Sequence, residues 1–142
     1  MKIRKISAYV SVGVMAALIL AVAPCGAATP PVVVIPASAG APDAPEGAVV
    51  YEYAEISHDI VCIQESYSSP TLIYTIRYYY NRDEFLCAEA RAGVMRPGSK
   101  SFSSDIWSLR PGESYKHPLT GKKAPIDELA IAALETVQQN AR

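Results

Sequence analysis

The sequence predicts a mainly β protein: a small antiparallel β-sandwich of about five or six strands, closed by one C-terminal helix. Three observations carry this reading. From Val49 onward, runs rich in Val, Ile, Tyr and Thr are separated by polar or Pro-containing breaks, the composition of strands and turns. Helical spacing of apolar residues lies at the C-terminal end. Two of the strand-like runs carry Cys62 and Cys87, which suits a bridge between the sheets of an immunoglobulin-like sandwich, the first arrangement expected. A single curled sheet backed by the helix is the second.

In chain order, the first element is a leader. Lys2, Arg4 and Lys5 precede an uncharged stretch from Ile6 to Ala23, whose Val10, Val12, Val14, Met15, Leu18, Ile19, Leu20 and Val22 make it apolar enough to enter a bilayer. Pro24 breaks a helix there, and Gly26, Ala27 and Ala28 offer a signal peptidase short side chains. Residues 1–28 therefore read as a signal peptide cut after Ala27 or Ala28. Two rival readings are an uncleaved anchor, since the run matches the shortest membrane-spanning helix, and a lipoprotein signal ending at Cys25, which Pro24 disfavours. All three leave the remainder across the membrane. The expected location is the periplasm or the extracellular space, with membrane attachment only through a retained or lipidated leader.

Residues 29–48 hold Pro30, Pro31, Pro36, Pro42 and Pro45 among Ala and Gly, the composition of an extended linker. Within it, Val32 to Ile35 suits a short edge strand, where Pro36 is tolerated. Residues 49–142 then form a single exported domain. Its first strand is expected over Val49 to Ile56, its second over Ile60 to Tyr67 and its third over Thr71 to Tyr80. In the third, Leu72, Tyr74, Ile76, Tyr78 and Tyr80 share one face, which is assigned to the core.

Asn81 to Glu84 reads as a hairpin loop leading into a strand from Phe85 to Val94. The competing assignment is a helix capped by Asn81, because Ala88, Glu89, Ala90, Arg91 and Ala92 are good helix formers. The strand is preferred, as strand-like ends flank a four-residue polar turn. Arg96-Pro97-Gly98 and Arg110-Pro111-Gly112 both suit type II turns, with Pro presetting φ and Gly supplying the positive φ that follows. Between them lies a strand from Phe102 to Leu109 that carries Trp107. The last element is a helix with Pro125 at its start, Asp127 and Glu128 in its first turn, and Ile126, Leu129, Ala130, Ala133, Leu134 and Val137 along one stripe.

Charge narrows the function classes. The whole chain carries 13 basic and 14 acidic residues. Loss of Lys2, Arg4 and Lys5 with the leader leaves ten basic against the same fourteen, a net charge of about −4, which gives no support to a nucleic-acid partner. The charges are also polarised: Asp43 to Glu65 holds six acidic residues and no Lys or Arg, whereas the positive charge collects from Arg77 to Lys123. Arg96, Lys100 and Arg110, in the two Pro-Gly turns, are the expected binding surface for an anionic partner.

In an oxidising compartment Cys62 and Cys87 are expected to pair, closing a loop of about 25 residues worth about 3 kcal/mol. No catalytic residue, metal ligand or cofactor is assigned. His58-Asp59 would point to opposite faces of a strand, and His58 and Cys62 would lie too far apart on one to share an ion. Asp83-Glu84 falls in a turn and reads as solvated. Tyrosines exposed beside Arg77, Arg82 and Arg91 would form an aromatic and cationic surface. The functional expectation is an exported, non-catalytic cell-envelope module that binds a protein or anionic polymer. The alternative is a small secreted enzyme.

Overall fold

The structure, a computed structural model, describes residues 30–37, 44–95, 98 and 102–140. The leader, Arg96 and Lys100 lie outside the described residues.

Five strands follow one another as an antiparallel meander, each paired with the next in sequence: β2 (Val49–Glu55), β3 (Ile60–Ser68), β4 (Leu72–Asn81), β5 (Glu84–Met95) and β6 (Phe102–Leu109). Short links make this order the natural one. Between β3 and β4 the Ser69 hydroxyl accepts the Leu72 amide at 3.0 Å, and between β4 and β5 Arg82 takes a positive φ of 57°, closing a two-residue turn. β1 (Val32–Pro36) lies parallel to β2 and completes the sheet order β1-β2-β3-β4-β5-β6. Parallel neighbours need a crossover of about a dozen residues, and residues 37–48 supply it. The short edge strand expected over Val32 to Ile35 is present within the Pro-rich stretch, and its Val33 and Val34 are 2% and 0% exposed.

After β6, β7 (Ser114–Lys116) and β8 (Lys123–Pro125) form a separate hairpin that leads directly into α1 (Ile126–Gln139). The expected immunoglobulin-like pair of large sheets gives way to one sheet. Its core face is covered by α1 and the small hairpin, as in the second arrangement. The helix buries Ile126, Ala130, Ala133 and Val137 against Ile63, Ile76, Tyr78, Tyr80, Ala88 and Ala90. The Tyr80 hydroxyl donates to the Ala130 carbonyl at 2.6 Å. At its N-terminal end the Asp127 carboxylate accepts the Gly112 amide, so the second Pro-Gly turn is tied to the helix. Both glycines have the positive φ expected, 80° at Gly98 and 90° at Gly112.

β5 is a strand despite its helix-forming alanines, because their spacing of two lets the sheet use them. Ala88 and Ala90 are buried under the helix, while Glu89 and Arg91 are exposed. A bulge opposite Tyr79 and Tyr80 inserts Leu86 between paired residues and turns Cys87 to the uncovered face.

Candidate functional site

The sheet has two faces of opposite character, and each holds one constellation of reactive side chains. On the covered face, β3 presents Val61, Ile63, Glu65 and Tyr67 opposite Tyr80, Tyr78, Ile76 and Tyr74 of β4. Glu65 is thus a carboxylate at a core position, 4% exposed. A buried charge persists only when hydrogen-bonded, and Glu65 has three donors. Its Oε2 accepts the Tyr74 hydroxyl at 2.6 Å and His117 Nε2 at 2.7 Å, and its Oε1 accepts the Tyr78 hydroxyl at 2.9 Å.

His117 reaches Glu65 from the end of β7 and is 7% exposed. Its Nδ1 accepts the backbone N–H groups of Leu119 and Thr120 at 3.1 and 3.4 Å, which leaves the proton on Nε2, pointing at the carboxylate. One imidazole thereby shapes the β7–β8 loop and anchors it to the sheet. Its ring also meets Tyr74 edge-on, with centroids 5.0 Å apart. Burial, reinforced by the Glu65 charge, pushes the Tyr74 and Tyr78 hydroxyls far above the usual tyrosine range; they remain donors. The same causes push Tyr115 up to about 12, and its buried hydroxyl has no hydrogen-bond partner among the described residues.

Both Glu65 and His117 are buried. The neighbouring hollow, about 530 Å³, is bordered by Tyr67 and Tyr74 but by neither Glu65 nor His117. Every donor aimed at Glu65 is already paired with it, so the arrangement fixes the carboxylate and its three partners in place.

The other face of the sheet is uncovered across its middle. One transverse row runs Glu52, Gln64, Arg77, Glu89, Ser108, and the next runs Ala54, Cys62, Tyr79, Cys87. In the first row Gln64 donates to Glu52 at 3.2 Å and Arg77 donates to Gln64 at 2.8 Å. Tyr79, half-buried, stands between two hollows. One, of about 220 Å³, is bordered by Glu52, Cys62 and Arg77; the other, of about 730 Å³, by Cys87, Glu89, Ser108, Arg110 and Glu113. Arg77, Arg91 and Arg110 are exposed, and among the described residues none has a carboxylate in ion-pair contact.

The expected residues fall as follows. Cys62 and Cys87 are free, a correction to the expected bridge. Cys62 stands opposite Tyr79 and Tyr79 opposite Cys87. A whole strand separates the thiols, so their Cα atoms are about 10 Å apart, beyond the roughly 7 Å a disulfide spans. Burial pushes the Cys62 thiol up to about 11. Of the expected binding surface, Arg110 is exposed beside the larger hollow, and Arg96 and Lys100 lie outside the described residues. His58 is exposed and its neighbour Asp59 accepts Arg82 at 3.2 Å. Among the described residues no three His, Cys, Asp or Glu side chains converge as a metal site.

The sequence offers His117 only as one of its two histidines and Glu65 only as part of the acidic stretch, although a signal for Glu65 existed. Alternation from Ile63 through Glu65 to Tyr67 puts a carboxylate on the face assigned to the core. Its partner His117 is fifty-two residues away, and nothing local marks it. Comparison with protein-family models, with curated proteins and with solved structures finds no match to this chain.

Proposed function

We propose that this chain is an exported, non-catalytic module that binds a carboxylate-bearing polymer of the cell envelope through the uncovered sheet face around Tyr79. The observation that carries the proposal is a half-buried tyrosine flanked by two hollows, with Arg77 bordering one and Arg110 the other. An aromatic ring offers stacking area at little entropic cost, and guanidinium groups supply forked donors for carboxylates. Exposed arginines that have no carboxylate in ion-pair contact among the described residues, in a chain of acidic net charge, favour an anionic ligand. Export rests on the leader, whose order of charge, apolar run and small residues is that of a signal peptide. The alternative, a small secreted enzyme, would have to work through Glu65 and His117, and their enclosure weighs against it.

Co-sedimentation with purified, insoluble peptidoglycan at low and moderate salt tests the binding claim. Wild-type protein should pellet with the polymer and be released by salt, as exposed charges are screened. Tyr79→Ala, and separately Arg77→Glu with Arg110→Glu, should weaken pelleting roughly tenfold, in line with the strength of aromatic and cationic contacts, at an unchanged melting temperature. Equal pelleting of all three proteins would refute the assignment of this face.

A further inference from the structure

The two edges of the sheet are treated differently. The outer edge of β1 is guarded by Pro30 and Pro31 before it and by Pro36 at its end, residues that cannot donate to a further strand. β6 has no such guard between Ser104 and Ser108. No strand lies beside its outer edge among the described residues. Its Ile106 and Trp107 are 60% and 39% exposed. A free row of N–H and C=O groups beside exposed apolar side chains calls for another strand.

We propose that β6 pairs antiparallel with β6 of a second copy of this chain, joining two sheets across a two-fold axis. The sequence of the strand selects both the occupant and the register. A two-fold axis between identical antiparallel strands sets one residue opposite its own copy. Centring on Asp105 would oppose two carboxylates. Centring on Trp107 would set Asp105 against Leu109, an apolar residue that is 6% exposed. Centring on Ile106 gives complementary pairs over the middle of the strand, Ile106 against Ile106, Ser104 against Ser108 and Asp105 against Trp107, and leaves the uncharged Ser103 opposite Leu109.

The last pair is the most telling. Asp105 and Trp107 lie on the covered face, opposite Ala92 and Ala90 of β5. Among the described residues neither the Asp105 carboxylate nor the Trp107 indole N–H has a hydrogen-bond partner. In the dimer each indole donor faces the partner copy's carboxylate acceptor, twice over. Ser104, Ile106 and Ser108 lie on the other face. The axis is perpendicular to the sheet, so both helices cover one side and both Tyr79 surfaces are presented on the other. Two copies of the proposed polymer-binding face would then act together, raising avidity without a new contact.

The test uses the whole chain purified from an expressing cell. Light scattering after size exclusion at tens of micromolar should give twice the mass of one chain. Ile106→Lys, which sets two cations opposite each other, should give the mass of a single chain with an unchanged circular dichroism spectrum. Register is checked in a background carrying Cys62→Ser and Cys87→Ser. A mixture of Ser104→Cys and Ser108→Cys chains should oxidise to the mixed covalent dimer, in preference to either chain bonded to itself. A monomer at every concentration, a dimer indifferent to Ile106→Lys, an assembly larger than two chains or a different cysteine pairing would each overturn the proposal. Polymer binding by monomeric Ile106→Lys should persist with reduced avidity, so failure of the dimer is distinguishable from failure of the Tyr79 site.

Discussion

Glu65 is the residue on which the interior depends most. It brings a charge into the space between sheet and helix, and Tyr74, Tyr78 and His117 converge to hold it. Glu65→Ala leaves three buried donors unpaired and should destabilise the fold by about 3 kcal/mol, measured by denaturant unfolding. Tyr74→Phe removes one donor and should cost about 2 kcal/mol, the usual worth of a hydrogen bond to a charged group. If both variants match wild type, the cluster is not structural. The thiols give a second test at this scale. Cys87 is exposed and should react at once with a thiol reagent, whereas Cys62 is buried and its pKa is pushed up to about 11. Its thiolate is scarce at neutral pH, and its labelling should stay slow until pH approaches that value or the chain is unfolded. Recovery of a Cys62–Cys87 bridged peptide would contradict the register of β3, β4 and β5. Of these residues the sequence made the tyrosine alternation legible, because Tyr74, Tyr78 and Tyr80 recur at spacing two. It could not show that His117 meets Glu65, since that contact spans the fold, and the cysteine pair was misread because spacing along the chain says nothing about an intervening strand.

Among the elements, β1 occupies the sheet edge where the short strand over Val32 to Ile35 was expected, although the surrounding composition is that of a linker. A Pro-rich stretch reads as solvated chain, yet Val33 and Val34 are buried against β2 and the core. Deleting residues through Ala37 should therefore cost about 3 kcal/mol or more relative to a chain beginning at Thr29, from the loss of two buried valines alone. Thermal melts of the two chains check this, and equal melting temperatures would return the segment to the role of a tether. The ends of β2 through β6 were legible to within a residue, because alternation and turn residues act locally. The helix was legible from its stripe, and its apolar set is the one that packs. Whether one large sheet or two would form was not legible. Alternation shows that a face is buried but not what buries it. Here α1 covers the face that a second sheet would have covered, and the small side chains of Ala88, Ala90, Ala130 and Ala133 give it room. The bulge at Leu86 was also hidden, since an extra apolar residue leaves no mark in an already apolar run.

At the scale of the molecule, the fold separates a closed face that carries stability from an open face that carries unpaired charge. Glu52 of β2 and Arg77 of β4 share one transverse row, with Gln64 of β3 between them. Glu52 reaches Arg77 only through Gln64, and among the described residues no carboxylate forms an ion pair with the Arg91 or Arg110 guanidinium, although Glu113 accepts the Arg110 backbone N–H. The polarity of the sequence thus becomes a polar row from Glu52 to Ser108 across one surface, with Arg77 exposed in it and Arg91 and Arg110 exposed outside it. The division of labour between the faces is tested most directly by comparing Tyr79→Ala with His117→Gln in peptidoglycan co-sedimentation, each at a temperature where circular dichroism finds it folded. The expected result is that Tyr79→Ala loses binding at the wild-type melting temperature, while His117→Gln melts earlier yet binds as wild type does. Loss of binding by folded His117→Gln, with Tyr79→Ala unaffected, would contradict the account and move the functional site to the buried carboxylate.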